Sequence, residues 1–149
     1  FLTEKYHLRA HELANDSYSK KCEIYLDLVE KKCPSINTFG HAIYSYCSNN
    51  NKKVALASAT LFQNIKKIIE VSNLNLSFCC IKTGDMYVGE NKPNPKMLLD
   101  IVEELGIPKE KVLVIEDSLI GFETAKNANL SYINVNTDFD SYNTKKYQD

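Results

Sequence analysis

The sequence has no excess of positive or negative charge, and this is its most informative absence. Its 149 residues carry 18 basic and 19 acidic side chains, so the formal net charge is −1 and the isoelectric point lies near 6.4. A chain without a basic stripe offers no electrostatic footprint for nucleic acid or for an anionic membrane surface. We therefore expect a small neutral or anionic partner held by local groups, with no nucleic acid and no membrane involved.

Paired cysteines and long apolar runs are also lacking. The five cysteines are odd in number and form no CxxC pair: Cys22, Cys33, Cys47, Cys79 and Cys80. No stretch resembles a signal peptide, and no apolar run is long enough to cross a bilayer. These absences predict reduced thiols and a cytoplasmic location.

Two residue pairs carry metal-ligating side chains in a poor context for a metal site. Adjacent residues of a strand point to opposite faces, so we expect Cys79 and Cys80 to be buried as small apolar side chains and not to share an ion. His7 and His11 are four residues apart on a predicted helix, a spacing that can hold zinc. Because the sequence places no third ligand near them, we interpret both histidines as part of a solvated helix face.

The chain does contain an alternation of strands and helices. With 44% hydrophobic and 25% charged residues, it has the composition of one globular domain. Apolar residues at helical spacing cover 18–31 and 36–47, before the alternation begins near residue 53. The predicted strands are 54–58, 77–81, 112–116 and 132–135, and the predicted helices are 61–71, 96–105 and 119–128. This order predicts an α/β fold with a doubly wound parallel sheet.

Two adjacent carboxylates, Glu116 and Asp117, follow the aliphatic run VLVI and precede a predicted helix. Ligands of parallel sheets bind at the carboxyl ends of the strands, so both acids are expected to face the site. Neighbouring carboxylates raise one another's pKa unless a cation lies against them, and their oxygens suit Mg²⁺. The alternative is that Asp117 or Ser118 only caps the next helix. Gly121, in the first turn of that helix, indicates a need for clearance, which close packing on the sheet explains.

Two further stretches end at the same edge of the predicted sheet. The strand VALAS ends at Ser58, where a hydroxyl and helix-terminal amides can cradle a phosphate; the alternative is an ordinary turn residue. In ENKPNP, Asn94 caps and Pro95 opens the next helix, while Pro93 stiffens the chain. Lys92, held in that turn, is interpreted as a fixed counter-charge to an anion, although a solvated surface lysine is the more common case.

Taken in order, the serine after VALA, the lysine in KPNP and the acids in IEDSLIG resemble the motifs of the haloacid dehalogenase-like hydrolase superfamily. Within it, KPNP and EDSLIG are similar to the beta-phosphoglucomutase and CbbY-type group. The resemblance implies a phosphohydrolase or phosphomutase that acts on a small, sugar-phosphate-like metabolite through an aspartyl-phosphate intermediate. It further implies that Ser58 and the amide of Ala59 hold the phosphoryl group and that Lys92 pairs with this group and with the nucleophile, Ser58 and Lys92 being catalytic. Glu116 and Asp117 would bind the cofactor, Mg²⁺.

The resemblance also divides the chain into a partial helical cap at 1–35 and an α/β core at 36–149. Members of the superfamily attack phosphorus with the first Asp of a DxD motif that ends their first strand. No DxD precedes Ser58. The one DxD, Asp138, Phe139 and Asp140, follows the last predicted strand, and we interpret it as a chance match.

Three explanations fit the missing motif: a fragment of a longer protein, a wrongly started reading frame, or a degenerate relative that binds without reacting. Without its central strand, the sheet would carry unpaired backbone on two buried strands, which favours the first two explanations. We expect 54–58 and 112–116 to flank a slot about 9 to 10 Å wide, because neighbouring strands lie ~4.8 Å apart. We also expect the 149 residues alone to lack phosphatase activity.

Two other classes of protein fit part of the pattern. The main alternative is a non-catalytic phosphate- or protein-binding domain derived from this fold, and direct pairing of 54–58 with 112–116 would favour it. A response-regulator receiver also places acids, a hydroxyl and a Lys-Pro pair on a parallel sheet. In a receiver, however, the acids come first and Lys-Pro comes last, whereas here the acids of IEDSLIG come last.

Overall fold

A computed structural model of the chain describes residues 2–135. Two helices come first, α1 (Leu2–Lys31) and α2 (Thr38–Asn49), which confirms the helical patterns at 18–31 and 36–47. They are followed by β1 (Ala55–Ser58), α3 (Phe62–Val71), β2 (Cys80–Thr83), α4 (Lys96–Leu105), β3 (Leu113–Glu116), α5 (Leu119–Asn127) and β4 (Ser131–Asn134). The DxD pattern at 138–140 and the side chains of His7 and His11 lie outside the part of the chain that is described.

Local sequence explains where several helices begin and end. The side chain of Asn37 accepts a 2.8 Å hydrogen bond from the amide of Gly40 and so caps the start of α2. Before α4, the side chain of Asn94 accepts a 2.9 Å bond from the amide of Lys96, as a capping side chain would. The helix begins at Lys96 with Pro95 in the N-cap position, one residue later than KPNP predicted. The helix then ends at Gly106, whose φ of 61° is a conformation that glycine adopts without steric conflict.

The predicted parallel pairing is confirmed, but the second strand is misplaced at both ends and the other strands differ from their predicted bounds by one residue. β1 pairs with β2 from Ala55 opposite Cys80 to Ser58 opposite Thr83, and β3 pairs with β4 from Leu113 opposite Ser131 to Glu116 opposite Asn134. The second strand was predicted at 77–81, but β2 begins only at Cys80. The strand starts later than its apolar run because its register is set by pairing with β1 and not by local composition.

The four strands within residues 2–135 form two separate two-stranded sheets, β1–β2 and β3–β4. β1 and β3 are therefore not hydrogen-bonded neighbours, and the direct pairing that would favour a self-sufficient binding domain is not observed. α4 packs on β1 and β2, while α5 packs on β3 and β4. The width of the slot expected between β1 and β3 stays a prediction.

One face of the sheets carries the hydrophobic core. Its buried members come from α4, β3, α5 and the turn before β4: Leu98, Val114, Ala125, Ala128 and Leu130. Ala57 of β1 packs against this cluster, so the core includes residues from both sheets. On the opposite face of β3, Leu113 and Ile115 are 52% and 37% exposed. Since parallel strands normally bury both faces, this side of β3 is left uncovered by residues 2–135.

The chain divides into two compact units. The first consists of Phe1–Ser35 and Gln63–Asn75, and in it Lys67 forms a 3.2 Å ion pair with Glu30. The second consists of Ile36–Phe62 and the chain from Leu76 onward; it contains all four strands and all the predicted site residues. None of the helices described is both long enough and apolar enough to cross a membrane.

Candidate active site

The first element of the site is the loop between β1 and α3. Ser58 ends β1, and its Oγ accepts a 3.1 Å hydrogen bond from the amide of Thr60. The hydroxyl hydrogen of Ser58 is not used in that bond, so the side chain can still donate to a ligand. The amide of Phe62, the first residue of α3, donates to Oδ1 of Asp85 at 3.0 Å. Two amides of the loop are thereby bonded within the protein.

The contribution of Asp85 was not predicted. This residue lies in a 3₁₀ turn, Gly84–Met86, that follows β2, and it is 23 residues after its partner Phe62. The hydroxyl of Thr83, and after it the amide of Phe62, hold the pKa of the Asp85 carboxyl below its ordinary value. No local pattern marks the role of this residue, because the contact depends on β1 and β2 being paired.

The second element is an ion pair between Lys92 and Glu116. The lysine ammonium contacts Oε1 of the glutamate, and the two side chains are only 7% and 12% exposed. Lys92 is therefore not a solvated surface lysine. Ser118 adds a 3.2 Å hydrogen bond from its hydroxyl to Oε2 of Glu116. The sequence predicted both charged residues for the site but not their direct contact.

Gly121 explains how the carboxylate of Glu116 fits against α5. A Cβ added at this buried glycine would lie 2.1 Å from Cδ of Glu116 and 2.2 Å and 2.6 Å from its two carboxylate oxygens. Atoms cannot approach this closely, so the carboxylate occupies the space that a side chain would fill. The predicted clearance at Gly121 is present, and it is filled by the carboxylate of Glu116.

The adjacent acid, Asp117, is exposed beside the pair. Ser118, and not the aspartate, is the N-cap residue of α5, since its Oγ accepts a 3.2 Å bond from the amide of Gly121. Within residues 2–135, no cluster of three or more His, Cys, Asp or Glu side chains could hold a metal. Two neighbouring carboxylates nevertheless fit Mg²⁺, which is often held by one or two carboxylates together with water and substrate phosphate.

Asn91 connects the Ser58 loop to the Lys92–Glu116 pair, and the sequence did not predict this role either. Its Nδ2 donates a 3.1 Å hydrogen bond to the carbonyl of Gly84, in the turn beside the Ser58 loop. Asn91 also directly precedes Lys92 in the chain. A continuous set of contacts thus leads from the Ser58 loop through Gly84 and Asn91 to the Lys92–Glu116 pair.

A second polar cluster lies between β2 with the turn after it and α4. Lys82 pairs with Glu104 at 2.6 Å, and the hydroxyl of Tyr87 donates to Oδ2 of Asp100 at 2.9 Å. Burial, and then the Glu104 carboxylate, raise the pKa of the Cys80 thiol to about 11. Burial, and then Asp100, raise the pKa of Tyr87 to about 12. These contacts hold α4 against β2 and the turn that follows it.

The two adjacent cysteines do not behave alike. Cys80 is 4% exposed, as predicted, but Cys79 is exposed, so its predicted burial is wrong. The reason is the later start of β2, which leaves Cys79 just outside the strand with its thiol 3.0 Å from the carbonyl of Val54.

Comparison with known proteins identifies the family. The sequence profile of the haloacid dehalogenase-like hydrolases matches residues 6–135, which is most of the chain. The chain therefore belongs to this family, and the resemblance inferred from the motifs is confirmed.

Individual relatives cover parts of the chain. It is 38% identical over 76 residues to phosphoglycolate phosphatase of Aquifex aeolicus, which is 51% of this chain and 35% of the relative. It is 36% identical over 81 residues to the phosphorylated carbohydrates phosphatase of Thermotoga maritima, 54% of this chain and 37% of the relative. The crystal structure of CbbY from Rhodobacter sphaeroides in complex with phosphate matches with a TM-score of 0.70 and 25% identity, covering 79% of this chain and 53% of CbbY. The match thus spans about a third of each relative and about half of CbbY.

Proposed function

We propose that the chain forms the phosphate- and metal-binding part of a Mg²⁺-dependent phosphohydrolase or phosphomutase for a small, sugar-phosphate-like metabolite. The contact between Lys92 and Glu116 carries this proposal, because it joins two motifs 24 residues apart at the carboxyl end of β3. The substrate class is supported by the names of the two relatives, a phosphoglycolate phosphatase and a phosphatase of phosphorylated carbohydrates.

Each predicted residue takes a distinct role in this proposal. The hydroxyl of Ser58 and the amide of Ala59 donate hydrogen bonds to the phosphoryl oxygens in the loop that follows β1. Lys92 balances the phosphoryl charge from a nearly water-free position, where charge stabilisation is strongest. Glu116 and Asp117 would hold Mg²⁺, which would supply further neutralisation of the phosphoryl oxygens.

The nucleophile in this proposal is an aspartate on a further strand that fits between β1 and β3. The support is the division of the strands into two pairs, since within residues 2–135 β1 and β3 each pair with a strand on one edge only, and a buried strand edge needs a partner. Such a strand would end beside the Lys92–Glu116 pair, where its carboxylate could attack phosphorus and form the aspartyl-phosphate. Residues 1–35 would contribute part of a helical cap and residues 36–149 the core.

The test compares residues 1–149 with the whole protein that the gene encodes, using an aryl phosphate over a range of Mg²⁺ concentrations. Residues 1–149 alone should give no turnover, because Lys92 and a metal cannot replace a nucleophile. The whole protein should turn over, and changing the aspartate that ends its additional strand to Asn should abolish this. Turnover by residues 1–149 alone would refute the missing-strand proposal. Phosphate binding without any turnover in the whole protein would establish the non-catalytic alternative.

A further inference from the structure

We infer that Gly84, Asp85 and Asn91 are positioning residues that fix the phosphate-binding loop relative to Lys92. The inference rests on the proposed function, in which Ser58 and Ala59 hold the phosphoryl group. None of the three residues needs to touch the substrate for this role. Each acts through a contact with the loop or with its neighbour in the chain.

Gly84 sets how closely the turn after β2 approaches the loop. Its amide donates a 3.1 Å hydrogen bond to the carbonyl of Thr60. A Cβ added at Gly84 would lie 2.1 Å from the carbonyl oxygen of Ala59 and 2.8 Å from its carbonyl carbon. Because these are backbone atoms, no side-chain rotation can relieve the contact. A larger residue at this position must therefore displace the peptide that joins Ala59 to Thr60.

Asp85 holds the other end of the same loop. Its carboxylate accepts the 3.0 Å bond from the amide of Phe62, where the loop enters α3. Together with the Gly84 bond to Thr60, this contact attaches the loop to one turn at two successive points. An asparagine at position 85 would keep the accepting oxygen, whereas an alanine would remove it.

Asn91 connects the turn at Gly84 to Lys92. Its Nδ2 donates to the carbonyl of Gly84 at 3.1 Å, so both the amide and the carbonyl of that glycine are bonded. The next residue, Lys92, pairs with Glu116 at the end of β3. β1 and β3 are not hydrogen-bonded to each other. The contacts through Gly84 and Asn91 therefore link the phosphate-binding loop after β1 to the Lys92–Glu116 pair at the end of β3.

The test uses the whole protein and inorganic phosphate as the probe, with phosphate and Mg²⁺ affinities measured separately by calorimetry. Gly84→Ala should weaken phosphate binding at least tenfold and leave Mg²⁺ binding unchanged, since the acids lie on the other sheet. Asp85→Ala should weaken phosphate binding about fivefold, as expected for one lost hydrogen bond, and Asp85→Asn should restore it. Gly40→Ala is the matched control, because a Cβ there meets nothing closer than 3.5 Å.

The outcomes separate the inference from the function on which it rests. If the wild-type protein does not bind phosphate, the proposed function fails and the inference fails with it. If the wild type binds phosphate and Gly84→Ala binds it equally well, only the inference is overturned. Should Gly84→Ala not fold, Asn91→Ala decides the matter: about fivefold weaker phosphate binding with unchanged Mg²⁺ affinity supports positioning, and unchanged phosphate binding rejects it.

Discussion

Replacing Gly121 with alanine should separate metal binding from fold stability. The added Cβ would lie 2.1 Å from Cδ of Glu116, whereas ordinary van der Waals contact begins at 3.4 Å. The carboxylate must therefore retreat by about 1.3 Å, the difference between these two distances. That movement takes it out of the position that Lys92 and Ser118 define.

The effect of this substitution on the stability of the fold should be small. Gly121 lies in the first turn of α5, and alanine is favoured over glycine in a helix by about 1 kcal/mol. The displaced group is the far end of a flexible side chain, so the fold accommodates it by rotation and not by moving backbone. Because the same movement weakens the buried pair between Glu116 and Lys92, the loss of that contact offsets the helix gain, and we expect a melting temperature close to that of the wild type.

The effect on the site should be large. A displacement of about 1 Å at a reacting centre commonly lowers activity by about 10²-fold. If Glu116 is a ligand, the Mg²⁺ affinity of Gly121→Ala should fall at least tenfold, and aryl-phosphate turnover by the whole protein should fall with it. Calorimetric Mg²⁺ titration and thermal unfolding measure the two quantities on the same sample.

Gly40→Ala is again the matched control, since it adds a methyl group to helix α2 with no contact shorter than 3.5 Å. It should gain the same helix stability without any loss of Mg²⁺ affinity. Wild-type Mg²⁺ affinity in Gly121→Ala would refute the assignment of Glu116 as a ligand. A large fall in melting temperature would instead show that the space above Gly121 is needed for folding.

Three further outcomes follow from the same geometry. Asp117→Asn should weaken Mg²⁺ binding and abolish turnover in the whole protein while the melting temperature is unchanged; undiminished Mg²⁺-dependent activity would remove the ligand assignment. Lys92→Ala should lower turnover without weakening Mg²⁺ binding, and should destabilise the fold by up to about 3 kcal/mol because it leaves Glu116 unpaired; equal loss of metal binding in both variants would contradict the separate roles. The raised pKa values of Cys80 and Tyr87 favour their protonated forms in the folded state, so the stability that these groups contribute should be fully present below pH 9.0 and be lost as the pH rises through about 11 and 12. Urea unfolding of the wild type and of Cys80→Ala as a function of pH measures this loss. Identical pH profiles of the free energy of unfolding would show that the Cys80 thiol makes no contribution to it.

The sequence predicted most of the elements because their signals are local. The helix at 96–105 has the same bounds in the structure, since apolar periodicity, the Asn94 cap and Gly106 all lie within or beside it. β2 was misplaced because its ends depend on pairing with β1, a contact between segments about 25 residues apart. Local composition gave the apolar run but not the register.

The same distinction, between local signals and contacts of distant segments, holds for the site. Ser58, Lys92 and Glu116 could be proposed because each lies at the end of a strand or in a Pro-containing turn that is visible in the sequence. The contacts that organise them could not be predicted. Gly84 appears as an ordinary turn glycine, and its requirement becomes visible only when β1 and β2 place it against Ala59.

The charges at the site also bear on the proposed strand. Lys92 neutralises Glu116 in a region where both side chains are largely buried, so the pair contributes little net charge to a bound cation. Mg²⁺ is often held by one or two carboxylates together with water and substrate phosphate, so a further carboxylate beside a partly neutralised Glu116 would strengthen the site. In the proposed function, a strand that ends in an aspartate between β1 and β3 would supply that carboxylate and pair with both strands. The pairing of the strands and the charges at the site therefore both support the proposed strand.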